Sequence, residues 1–147
     1  MLCAPGMEDL ERLFIWENDA SMWNVGNAIA PYSHKQLWDY IENYEADIFK
    51  SRQLKFIIKK IVGGDLLGEI DVFDFDPVNR HASLGILIDV EHRNMGYATR
   101  AIELVCEYCS RHIGIHSLLA ITEVENVAGQ GAFKKAGFLS NGCLKSW

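Results

Sequence analysis

Apolar residues recur along this chain in two periods, and their alternation predicts most of its elements. Residues 7–17, "MEDLERLFIWE", gather Leu10, Leu13, Phe14 and Trp16 on one side of a short helix. Leu37, Trp38 and Ile41 make a similar face over 34–48, with Ser33 placed to cap the helix start. Strand-like runs occupy 54–62 ("LKFIIKKIV"), 66–76 ("LLGEIDVFDFD") and 81–90 ("HASLGILIDV"). A tight turn, "GGD" at 63–65, joins the first two and Pro77 closes the second, so the three predict an antiparallel meander. Over 96–113 the period turns helical: Ala98, Ala101, Ile102, Val105, Cys109 and Ile113 face inward, while Arg100, Glu103, Glu107 and Arg111 face out. Gly114 supplies the stop. A strand at 116–124 and a helix at 127–136, capped by Asn126 and ended by Gly137, follow; "MLCAP" offers a short strand at the front. The order predicts an α/β sandwich with a mixed sheet.

Composition narrows the class without choosing a function. A chain of 147 residues with 49% hydrophobic and 23% charged residues suits one soluble domain, 1–147. Its apolar runs fall short of the ~20 residues that span a bilayer, and "MLCAPGMEDLERL" lacks the basic start and apolar core of a secretory signal. A cytoplasmic protein with no membrane partner is expected. The net charge of −6 argues against nucleic acid, which needs a basic face, and suits a cationic small molecule. Cys106 and Cys109 form a C-x-x-C inside one predicted helix with no second pair, and the five histidines show no ligand spacing, so no metal is expected.

The stretch "EHRNMGYATRA" carries the sharper signal. A strand runs into Arg93-x-x-Gly96-x-Ala98 at the start of a helix. The first helical turn presents unpaired N–H groups and the positive end of the helix dipole, and small residues there let a pyrophosphate approach the backbone. A turn that merely needs Gly96 is the plainer reading of the same spacing. A dinucleotide fold is excluded, because that fold places its glycine turn after the first parallel strand and this one follows an antiparallel meander.

The pair "LGILIDVEHRNMGYATRAIELV" and "ITEVENVAGQGAFKKAGF" resembles the two central motifs of the GCN5-related N-acetyltransferase (GNAT) superfamily. Within it, "EDLERLFIWEND" and "GEIDVFDFDPVNRHASLGI" are similar to the branch of spermidine and ribosomal-protein N-acetyltransferases. The resemblance implies a three-layer sandwich, its mostly antiparallel mixed sheet covered by helices on both faces. It implies acetyl-CoA as acyl donor and direct acetyl transfer to a primary amine of a polyamine, protein or peptide. Carried over by position, it assigns the pyrophosphate to the N–H groups of Asn94, Met95, Gly96, Tyr97, Ala98 and Thr99, with Arg93 beside them. It assigns the pantetheine arm to the backbone of Leu87 and Ile88, with an N–H there polarising the thioester carbonyl, and to Asn126.

The acceptor amine must lose a proton before it attacks, and a carboxylate is the usual agent. Period-two alternation puts Glu69 and Asp71 on one face of their strand, with Asp71 the first choice of base and a solvated strand face the alternative. Trp16, Trp23, Trp38 and Tyr40, with Glu42, Glu45 and Asp47, form either an aromatic and acidic acceptor wall or core aromatics beside a solvated helix.

The chain departs from the family pattern at several positions. Asn94 stands where Gly is usual, and Asn is among the residues that tolerate left-handed backbone. Gly129 replaces a frequent Ser, Phe133 replaces the Tyr whose hydroxyl protonates departing CoA, and Ser83 replaces a frequent Glu. Relatives continue past the Gly-Phe motif into two strands, whereas "LSNGCLKSW" suffices for one. A homodimer or an exchanged strand is expected to complete the sheet. These departures also favour a second reading: a non-catalytic CoA-binding or ligand-sensing module on a degenerate GNAT fold.

Overall fold

The computed structural model describes residues 1–19 and 30–144. Five strands form one sheet in sequence order: β1 (Leu2–Cys3), β2 (Leu54–Lys59), β3 (Leu66–Asp76), β4 (His81–Ile88) and β5 (Ser117–Leu119). The first four pair antiparallel and β5 joins β4 in parallel. The helices are α1 (Leu10–Glu17), entered by a 3-10 turn at Met7–Asp9, α2 (His34–Glu42), α3 (Ile48–Ser51), α4 (Tyr97–Tyr108) and α5 (Val127–Lys135).

Strand alternation sends side chains to two cores. Ile58, Ile70, Val72 and Leu84 face α4 and α5, where Ala101, Ile102, Val105, Ala132 and Phe133 close the larger cluster. Ile57 points the other way, to Leu13 and Trp16 of α1 and Leu37 and Ile41 of α2. The sheet therefore carries helices on both faces, the expected three-layer arrangement.

Several expected boundaries move, each for a local reason. The helix expected over 34–48 breaks after Glu42, and α3 restarts with Asp47 as N-cap, its side chain accepting the Phe49 N–H at 3.0 Å. Trp38, expected on the buried face of that helix, is half exposed because the apolar face is Leu37 and Ile41. The expected strand 54–62 stops at Lys59, where pairing with β3 slips and the chain enters the turn. The helix expected to reach 113 ends at Tyr108 and continues as one π turn, Cys109–Ile113, before left-handed Gly114.

The largest difference lies at β5. Only Ser117–Leu119 of the expected strand 116–124 pairs, and its partners on β4 end at Ser83. Beyond that point the two strands part, and among the described residues no strand pairs with β4 from Leu84 to Ile88 on the side away from β3. The strand expected within "LSNGCLKSW" does not form in residues 139–144; residues 145–147 lie outside the described part.

Candidate functional site

The parting of β4 and β5 opens a cleft of about 670 Å³ that runs from the sheet's α1/α2 face to the start of α5. Its floor follows from the register. Lys55 pairs with Asp71 and Ile57 with Glu69 across β2–β3, while Gly85 and Leu87 stand opposite Asp71 and Glu69 on β4. All of these side chains share one face, because cross-strand partners point the same way. Gly85 leaves the floor bare beside the two carboxylates; a Cβ there would press on Phe73 at 3.4 Å. Trp16, Glu17 and Tyr40 form the α1/α2 wall, and Asn126, Gly129 and Phe133 the α5 wall.

The two predicted carboxylates meet as expected, but around a cation the sequence reading did not include. The Lys55 ammonium donates to Glu17 Oε1 at 2.6 Å, Glu69 Oε2 at 3.0 Å and Asp71 Oδ2 at 3.1 Å. Lys55 and Glu69 are buried, whereas a third of the Asp71 side chain faces the cleft. Burial works against the lysine's charge, yet Asp71, Glu69 and Glu17 outweigh it and hold the ammonium well above the ordinary lysine value. Burial also raises Glu69, to about 8, against the pull of Lys55 and with a further push from Asp71. Asp71 is raised by burial as well. Three carboxylates around one ammonium hold more negative charge than the cation neutralises, so the Glu69–Asp71 pair retains a proton that isolated carboxyls would have lost.

Lys55 had a signal in the sequence: a lone lysine inside the apolar run "LKFII", in phase with Ile57. Only the register, which sets it opposite Asp71, turns that signal into a site. Of the proposed aromatic and acidic wall, Trp16 and Tyr40 line the cleft. Trp38 does not, Glu45 and Asp47 pair with Lys50 elsewhere, and Glu42 is absent from the lining. Trp23 lies outside the described residues.

The turn 89–99 is built as an anion cradle requires. Asn94 adopts φ 60°, the left-handed conformation that its side chain tolerates, and Gly96 follows at φ 82°. Gly96 occupies the N-cap with no side-chain cap, so the first amides of α4 remain open. Arg93 donates its Nε to the Ile88 carbonyl at 3.0 Å, tying the turn to the end of β4. Met95 is exposed, and Tyr97, Ala98 and Thr99 are half-buried along the first helical turn. Asp89 braces this turn from below: it accepts from the Trp16 indole at 2.9 Å and from the Glu91 amide at 3.2 Å, with Arg12 at 3.6 Å. Burial opposes its charge, but those three groups hold the carboxyl below the usual range.

At the far wall, Asn126 accepts the Gly129 N–H at 2.9 Å and starts α5. A Cβ on Gly129 would lie 2.6 Å from Asn126 Nδ2 and would push that amide aside. Phe133 stacks edge-on against Phe138 with ring centres 5.1 Å apart and offers no proton to the cleft. These features fit coenzyme A: open amides for a pyrophosphate, a free β4 edge for the amide-bearing pantetheine arm, and Asn126 across from it. Among the described residues no cluster of His, Cys, Asp or Glu is arranged to hold a metal, and no helix is long and apolar enough to cross a membrane.

The chain is similar to known proteins in sequence and in fold. The Escherichia coli K12 spermidine N(1)-acetyltransferase is 26% identical over 137 residues, which cover 93% of this chain and 71% of the relative. The Vibrio cholerae spermidine N-acetyltransferase in complex with CoA and spermine superposes with a TM-score of 0.83 at 22% identity, over 97% of this chain and 82% of that one. A dodecameric structure of the Vibrio cholerae spermidine N-acetyltransferase superposes with a TM-score of 0.78 at 22% identity, over 97% of this chain and 80% of that one. Residues 1–139 match the acetyltransferase (GNAT) domain, and the chain belongs to that family.

Proposed function

We propose that this GNAT acetyltransferase moves an acetyl group from acetyl-CoA directly to a small cationic primary amine bound over Asp71 and Glu69. The observation that carries the reading is the placement of a proton-accepting carboxylate pair in the cleft where β4 and β5 part. The spermidine acetyltransferases among the relatives support an amine of the polyamine class.

The residues divide the work. The α4 amides hold the pyrophosphate with Arg93 beside them, and the β4 edge at Leu87 and Ile88, where Arg93 already holds the Ile88 carbonyl, aligns the pantetheine arm. A β4 N–H donates to the thioester oxygen as charge develops on it. An incoming ammonium gives one proton to the Asp71–Glu69 pair, and its nitrogen attacks the thioester carbon. The C–N bond forms, the C–S bond breaks, the nitrogen sheds its second proton to water as the amide forms, and the thiolate leaves without a donor from Phe133. A thiolate is a far weaker base than an alkoxide or an amide anion, so it departs without prior protonation. Both carboxyls are raised by burial, which brings their titration closer to the working pH, where a base works best.

The test mixes protein, acetyl-CoA and a panel of alkylamines, polyamines and N-terminal peptides and follows free thiol. Amine-dependent thiol release supports transfer. Calorimetric CoA binding with no release favours the non-catalytic CoA-binding module, and no CoA binding removes both readings. Self-association is part of the proposal, supported by the dodecameric relative. A monomer by analytical ultracentrifugation at micromolar concentration contradicts it.

A further inference from the structure

Among the described residues that line the cleft, Lys55 is the one cation, and it is held at both ends. At its backbone, the Tyr44 hydroxyl accepts the Lys55 N–H and donates to the Lys55 carbonyl, each at 3.0 Å. At its tip, the three ammonium N–H bonds go one each to Glu17, Glu69 and Asp71. Stem and charge are both fixed, so the lysine is an anchor against which the carboxylates are set. The register places it opposite Asp71, and it takes only Oδ2 of that carboxylate. Among the described residues no other side chain donates to Asp71, which leaves Oδ1 for a donor entering the cleft.

The other groups that face this cluster are anionic or neutral. Glu17 comes from α1, Glu69 and Asp71 from β3, and the Tyr40 phenol from α2, while β4 and α5 bring no titratable side chain to the lining. Exposed Tyr32 and Asp74 complete the titratable lining. Nothing but Lys55 balances Asp71 and Glu69 there, and two adjacent carboxyls without a cation keep their shared proton to higher pH.

We propose that Lys55 is a positioning residue for the transfer: it pins one oxygen of Asp71 and one of Glu69, leaves the second Asp71 oxygen to the acceptor nitrogen, and supplies the positive charge that keeps the pair able to take that nitrogen's proton. The inference rests on the proposed amine acetylation. Lys55 keeps all its own protons; the proton that moves passes from the substrate ammonium to the carboxylate pair.

The pH profile of kcat with acetyl-CoA and spermidine tests this. Lys55→Met removes the charge and keeps an unbranched stem, whereas Lys55→Arg keeps the charge. In Lys55→Met the rising limb should move up by about 1–3 pH units, the shift an adjacent opposite charge makes, so that kcat falls about tenfold or more at pH 7 and recovers as pH rises. Lys55→Arg should hold the limb close to that of wild type. A lesion that is only structural lowers kcat alike at every pH. An unmoved limb in Lys55→Met with native circular dichroism overturns the proposal, as does a limb in Lys55→Arg that moves as far as that of Lys55→Met. Should Lys55→Met not fold, Glu17→Gln serves: it removes a competing carboxylate from the same ammonium, so the limb should move down, and an unmoved limb overturns the proposal. Carbon-13 NMR of labelled Asp and Glu carboxyls in the CoA-bound proteins reads the same titration without turnover. If wild type acetylates no amine while these titrations shift as stated, acetyl transfer fails and the hold of Lys55 on the pair stands; unshifted titrations overturn that hold alone.

Discussion

Replacing Asp71 by Asn removes one acceptor of the amine's proton at almost constant shape. Lys55 keeps its bonds to Glu17 and Glu69, so the buried ammonium is not stranded and the fold should persist. A positioned general base contributes roughly 10²- to 10⁴-fold. Glu69, which shares the Lys55 ammonium with Asp71, partly covers the loss, and this puts the expected fall in kcat near the lower end, about 100-fold. The pH profile gives a second, sharper reading. Burial is the main force raising Glu69 to about 8, and the Asp71 charge adds to it. Wild-type activity should therefore climb through pH 8 as the pair gives up its proton, and the climb should move to lower pH in Asp71→Asn. Thiol release measured from pH 5.5 to 9.5, with CoA affinity by calorimetry at each end, tests both. Unaltered turnover removes Asp71 as base, and an unmoved limb refutes the coupling between the two carboxyls.

Three further outcomes follow from the same geometry. Folded Glu69 holds a proton that the unfolded chain loses near pH 4.5, so its contribution to stability is present below that pH and lost as pH rises through 8; urea unfolding should show Glu69→Gln flattening this decline. Trp16→Phe deletes the indole donor to buried Asp89 and should cost about 1.5–3 kcal/mol of stability, while weakening CoA binding because the cofactor turn loses its brace; unchanged CoA affinity limits Asp89 to a structural role. Phe133→Tyr supplies a proton donor for the thiolate and should raise kcat more at pH 7 than at pH 9, where the thiolate departs readily; an equal gain at both pH values argues against this use of the phenol.

The layers, the meander and the left-handed turn before α4 are legible because each rests on local pattern. Apolar period fixes the faces of α1, α4 and β2–β4, and Asn94 adopts the left-handed backbone that its residue type tolerates. The carboxylates Glu69 and Asp71 were legible for the same reason, being in phase on one strand. What they touch was not. Lys55 reaches them through cross-strand register, and Glu17 through the packing of α1 on the sheet; both are non-local. The apolar run 116–124 has strand-like composition, yet only Ser117–Leu119 of it pairs. Pairing needs a neighbour, and β4 parts from it after Ser83. That lost pairing is also what opens the cleft.

Single-turnover transfer tests the central claim most directly. Protein in excess over carbon-13-labelled acetyl-CoA is mixed with spermidine, quenched across the turnover and read by mass spectrometry. Direct transfer over the Asp71–Glu69 pair predicts labelled N-acetyl amine appearing in step with free CoA, with the protein's mass unchanged throughout. Label accumulating on the protein before the amine, or CoA release without acetylated amine, contradicts the account.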